Sequence, residues 1–143
     1  MKNVLFTSLL ILLLSTANPF QAQATFPGKN IVFWDLEQSD EQNNTDLVEA
    51  YDLAKKNKYE QAIKVIEKKI QESPKSTTLH VMKGLILNEM HMYIPAVRIL
   101  NEAQLIESRH PGIHYGFCEV YRNLGMSHLS LHACRIAEEI HHL

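Results

Sequence analysis

The sequence predicts an all-α fold of three stacked helix pairs, and two observations predict it. From residue 46 onward, apolar residues recur at intervals of three and four, the spacing that gives a helix one buried stripe. Residue size also recurs at a fixed interval of 34. Ala62, Ala96 and Ser130 keep that interval and are small, as do Ala50, Gly84 and Cys118. Leu53, Leu87 and Tyr121 keep it and are large. Tyr59 matches Tyr93, with Ser127 departing, and Ala103 matches Ala137, with Lys69 departing. Several columns in register over three copies are hard to produce by chance.

The first element is not part of that fold. Residues 1–24 run from one early positive charge, Lys2, through an apolar stretch at 4–14 to small residues ending at Ala22 and Ala24. That order is the order of a secretory signal peptide. An uncleaved anchor is the weaker reading, because the stretch is about half the roughly 20 apolar residues that cross a bilayer. No cysteine follows it, which argues against a lipid-modified N-terminus. The expectation is an exported chain, periplasmic or secreted, with no membrane span after cleavage.

The remaining residues, about 119 of the 143, suffice for one domain and one core. Of 14 basic residues only Lys2 lies in the leader, so the rest sets 13 basic against 16 acidic residues. That mild acidity argues against nucleic acid, which needs a basic face to offset phosphate. Residues 25–45 read as an arm or linker, disordered over 37–46 (EQSDEQNNTD), with an apolar stretch at 31–34 ending in the lone Trp34. Basic residues crowd instead into the first pair, from Lys55 to Lys69. Two solvated surfaces explain this better than an acidic arm clamped on a basic pair, since exposed ion pairs contribute little.

Six helices are expected in the domain 46–143, near 46–56, 59–72, 77–90, 94–107, 111–124 and 127–142. Breakers separate them: Asn57-Lys58, Ser73-Pro74, the His91 region with Pro95 in the next first turn, His110-Pro111-Gly112, and Gly125. Ser76 and Ser108 are candidate caps. Two helices joined by a tight turn approach closely only where small residues meet. Ala50 with Ala62, Gly84 with Ala96 and Cys118 with Ser130 would supply those contacts.

This period and pattern resemble the tetratricopeptide repeat, in three copies near 43–76, 77–110 and 111–143. The stretch AYDLAKKNKYEQAI, with Pro74 closing the unit, is the nearest match; Gly84, Tyr93, Ala96 and Ala103 carry the second copy, and Tyr121, Gly125 and Ala137 the third. Asp46, His80 and His114 depart from it, standing where the family places a bulky apolar residue. The resemblance implies helix-turn-helix repeats stacked as a short right-handed solenoid, with the first helix of each pair on the concave side. It also implies that this side binds a peptide or a partner helix. The stripe so assigned is Leu47, Tyr51 and Ala54, then Val81, Leu85 and Asn88, then Tyr115, Glu119 and Arg122, each set on one helical face. It grades from apolar to polar, which suits an apolar peptide with a charged or amide end. The alternative is that Leu47, Val81 and Leu85 are core. No carboxylate clamp of Lys and Asn is evident.

The last helix carries an added apolar stripe, Leu129, Ala133, Ile136, Ile140 and Leu143. Terminal repeats need a polar cap, so this stripe expects a cover: a second copy in a homodimer, a partner, or the chain's own arm. By the family's packing, Cys118 and Cys134 both point into the last seam. They either form a disulfide, closing a loop credited with roughly 3 kcal/mol, or fill space as thiols; export favours the disulfide.

Enzyme chemistry finds no foothold. His128 and His132 lie at i, i+4, but Leu129 stands where a zinc-protease helix needs glutamate, and functional metal binding is a remote third reading. There is no phosphate loop, nucleophile elbow or C-x-x-C pair, and Glu138 and Glu139 diverge on a helix. The expectation is a non-enzyme without catalytic residues, cofactor or metal. It is a protein–protein interaction module, or alternatively a structural subunit self-associating through its last helix.

Overall fold

The structure, a computed structural model, describes residues 41–141. Among the described residues are six α-helices and no strand: α1 Glu41–Lys55, α2 Tyr59–Glu72, α3 Thr77–Glu89, α4 Tyr93–Ile106, α5 Pro111–Asn123 and α6 Ser127–His141. The expected boundaries agree to within a residue except at the start of α1. That helix begins at Glu41, so the stretch read as disordered over 37–46 is helical from Glu41 onward. The residues there are polar but include no Pro or Gly, and an acidic residue in a first turn suits the helix dipole. The leader at 1–24, the arm up to residue 40, and Leu143 lie outside the described residues.

The turn inside each pair is built three times in one way. Asn57, His91 and Gly125, each 34 apart, take left-handed φ values of 58°, 60° and 73°. The next amide donates back to the carbonyl five residues earlier: Lys58 to Leu53, Met92 to Leu87 and Met126 to Tyr121, at 2.9, 2.9 and 2.8 Å. This closure satisfies carbonyls that a helix end would leave unpaired. A non-glycine residue at positive φ is strained, and in the first two turns a tyrosine supports it. Tyr59 Oη donates to Asn57 Oδ1 at 2.9 Å, and Tyr93 Oη lies 2.9 Å from His91 Nδ1. In the third turn Ser127 replaces the tyrosine, and the left-handed residue is glycine, which needs no support.

Each helix packs against its pair mate, α2 also against α3 and α4 against α5, and α3 reaches α5 directly. The small columns lie in these seams. Ala50, Ala62, Ala96 and Cys118 have no exposed surface. Ser130 Oγ donates to the Cys118 carbonyl at 2.9 Å. A Cβ added at Gly84 would stand 3.5 Å from the Ala96 carbonyl oxygen and 2.9 Å from Leu100 Cγ. One added at Gly116 would meet Leu100 Cδ2 at 2.7 Å. Leu100 of α4 is thus a knob seated over two glycines, one on α3 and one on α5. Gly116 has no counterpart among the small columns of the sequence, so this contact was not foreseen.

Histidines occupy two core positions. His80 and His114, 34 apart, are buried. His80 Nδ1 lies 2.8 Å from the Ser76 carbonyl oxygen and His114 Nε2 lies 3.2 Å from that of Ser108. Each ring donates an N–H to a carbonyl just before its helix, so it fills an apolar slot without an unpaired group. Ser76 caps α3, accepting from the Leu79 amide at 3.5 Å. At α5 the cap is not Ser108 but His110, whose Nδ1 accepts from the Gly112 amide at 3.2 Å. Pro111 at the start of that helix fixes which residue stands at the cap.

Candidate functional site

The face expected to bind a partner divides into a closed part and an open one. Leu47, Tyr51, Val81, Leu85 and Asn88 are at most 6% exposed and belong to the interior, as Ala54 does. The apolar trough expected along the first two pairs is therefore not an open surface. The aliphatic members do what apolar residues at that spacing do by default, which is to pack between helices. Asn88 is held instead by Asn123, whose Nδ2 donates to its Oδ1 at 3.0 Å across α3 and α5. Tyr115 and Glu119 are half-buried and Arg122 is exposed. The open part of the stripe is thus its polar end, on α5.

Glu89, at the end of α3, completes that end, and its carboxyl is electrostatically coupled to Glu119 and Tyr115 of α5 and to Tyr59 of α2. Burial holds the Glu89 carboxyl above its ordinary range, the like charge of Glu119 adds to this, and His91 opposes it. Burial also pushes the Tyr115 hydroxyl up to about 12, with Glu119 adding, Arg122 opposing and Glu89 adding again. Arg122 Nη1 pairs with Glu119 Oε1 at 2.6 Å, one helical turn away. Once ionised, the Glu89 and Glu119 carboxylates outnumber the single guanidinium, beside a hydroxyl that stays protonated, an arrangement suited to a cation or hydrogen-bond donors. Glu89 was missed in the sequence because its neighbours come from other helices. The only signal was an acid next to an inward asparagine.

The Glu89 shift has a testable sign. A carboxyl raised in the fold favours the neutral form there, so its contribution to stability is fully present below its unfolded pKa. That contribution is lost as pH rises through the folded value. Glu89→Gln, permanently neutral, is expected to melt above the parent at pH 7, with the gap closing below about pH 4. Thermal melts across that range check this, and a gap independent of pH would refute the assignment.

The cysteines stand as a disulfide. Cys118 of α5 and Cys134 of α6 are bonded, with Cα atoms 5.0 Å apart, within the range such bonds require. Arg122 Nη2 points at both sulfurs, 3.3 Å from Cys118 Sγ and 3.7 Å from Cys134 Sγ.

The terminal stripe is split. Leu129 is half exposed, Ile136 and Ile140 are partly buried, and Ala133 is buried with Cys134 and Ala137. Leu131, outside the stripe, is 72% exposed. Ala133, expected on the outer stripe, belongs instead to the buried core with Cys134. Among the described residues no group of three or more His, Cys, Asp or Glu is placed to hold a metal. No helix among them is long and apolar enough to cross a membrane. Comparison of the chain with family models, curated proteins and solved structures finds no match.

Proposed function

We propose that this chain is a protein–protein interaction module working outside the cytoplasm, its three pairs stacked as a short right-handed solenoid of tetratricopeptide type. The repeated turns at Asn57, His91 and Gly125 and the direct contact of α3 with α5 support that stacking. The disulfide supports an oxidising compartment. The observation that carries the binding role is the open polar end of the face, where Arg122 pairs with Glu119 and the charges of Glu89 and Glu119 act on Tyr115. It holds a peptide or helix by a basic or donor-bearing group, with Tyr115 beside it. Selection of a displayed random-peptide library on the full chain tests this. Enriched peptides are expected to carry Lys or Arg at a fixed position, and Glu119→Lys is expected to abolish that enrichment. Retention of the same peptides by Glu119→Lys would defeat the reading.

A second reading rests on α6. Leu129 is 50% exposed and Leu131 72%, and the helix packs chiefly against α5 alone. On this reading the chain is a structural subunit self-associating through that helix. Light scattering over a concentration series is then expected to show a dimer that Ile136→Asp converts to a monomer. A monomer before and after the substitution would remove this reading.

A further inference from the structure

We infer that the Cys118–Cys134 disulfide is a reducible latch with a fixed polarity: an incoming thiolate attacks Cys134, and Cys118 leaves as the thiolate, held by Arg122. Two independent asymmetries point the same way. Cys118 has no exposed surface, whereas the little exposure the pair retains, 8%, belongs to Cys134, the side from which a thiolate can approach. Arg122 Nη2 lies nearer Cys118 Sγ, 3.3 Å against 3.7 Å, and the Ser130 hydroxyl is 4.0 Å from the same sulfur. The guanidinium stays beside the sulfurs because Glu119 anchors its other nitrogen at 2.6 Å. A leaving thiolate is stabilised by a neighbouring guanidinium, and a better leaving group leaves faster.

The step balances as thiol–disulfide exchange. The attacking thiolate forms a bond to Cys134 Sγ, the Cys118–Cys134 bond breaks, and its electron pair goes to Cys118 Sγ. The second thiol of a dithiol reductant then attacks the mixed disulfide, releases Cys134 as a thiolate and closes the reductant's own disulfide. The consequence falls on α6, whose main contact is α5. With the latch open, the helix bearing Ala133 and Ala137 loses its covalent tie to the stack.

The oxidised full chain is exposed briefly to reduced glutathione, quenched with acid, alkylated and mapped by peptide mass. Glutathione is expected on Cys134 and the alkyl group on Cys118; glutathione on Cys118, or on both alike, overturns the polarity. In dithiothreitol buffers, Arg122→Gln is expected to lower the equilibrium constant for reduction about tenfold, equal to about 30 mV for two electrons. Arg122→Lys is expected to keep most of the parent value, and no shift in Arg122→Gln overturns the role of Arg122. A purely structural arginine would change stability without moving the Cys118 thiol pKa, which is read in Cys134→Ser with and without Arg122→Gln. Amide exchange is expected to quicken on reduction in α6 but not in α1 to α4. Uniform quickening overturns the latch.

Discussion

Leu100→Ala is expected to destabilise the fold by about 2–5 kcal/mol, among the largest effects of any single truncation in this chain. Leu100 has no exposed surface, and its branched end stands over Gly84 on α3 and Gly116 on α5. Truncation removes the one side chain that fills both close approaches, and a cavity follows because three helix backbones would have to move to close it. The cost belongs at the upper part of that range if the glycines, which have no side chains of their own, cannot fill the space. Chemical denaturation with an unchanged slope against denaturant checks it. A loss below about 1 kcal/mol would mean that α4 slides into the gap, and that the seams are softer than the contacts imply. A helical glycine weakens its helix by roughly 0.5–1 kcal/mol relative to alanine, and here that cost is offset by the seat it makes for Leu100.

Cys118→Ala with Cys134→Ala is expected to cost roughly 3 kcal/mol, the loop-closure value for about 15 enclosed residues. The loss should be local. α6 is the last of the described helices, with α5 as its main neighbour, and the tie joins those two helices near their middles. Hydrogen exchange is expected to show lowered protection in α6 and in the α5 residues facing it, with α1 to α4 little changed. The Ser130 hydroxyl bond to the residue-118 carbonyl survives the substitution, so α6 keeps its register while losing stability. Equal loss of protection across all six helices would show instead that the stack unfolds as one unit.

Several features were legible in the sequence because they are local. Helix ends follow from breakers and caps, so five of the six helices begin within a residue of expectation. The seam residues were legible because size recurs in register: Ala50, Ala62, Gly84, Ala96, Cys118 and Ser130 are all buried. The start of α1 was not legible, because a polar run without Pro or Gly reads equally as coil or first turns. His80 and His114 looked like departures from an apolar slot, since a histidine's partner carbonyl lies in the preceding loop and leaves no mark in residue type. Of the stripe expected to bind a partner, the sequence showed the shared face but not its exposure. Its positions share a helical face, but spacing alone does not say whether a face meets solvent or another helix, and Leu47, Val81 and Leu85 meet other helices.

The amino-acid sequence by itself determined the helices, their pairing across short turns and the places where backbones come close, because period, breakers and size act within a few residues. Only the tertiary structure decided which part of the shared face stays open, that Glu89 joins Tyr115 and Glu119 there, and that Arg122 covers the disulfide. Those facts depend on residues from α2, α3, α5 and α6 coming near one another in space, though Tyr59 and Glu89, and Glu89 and Glu119, stand 30 positions apart in the chain. Burial and charge at such a meeting point belong to the packed whole, and no single stretch of sequence carries them.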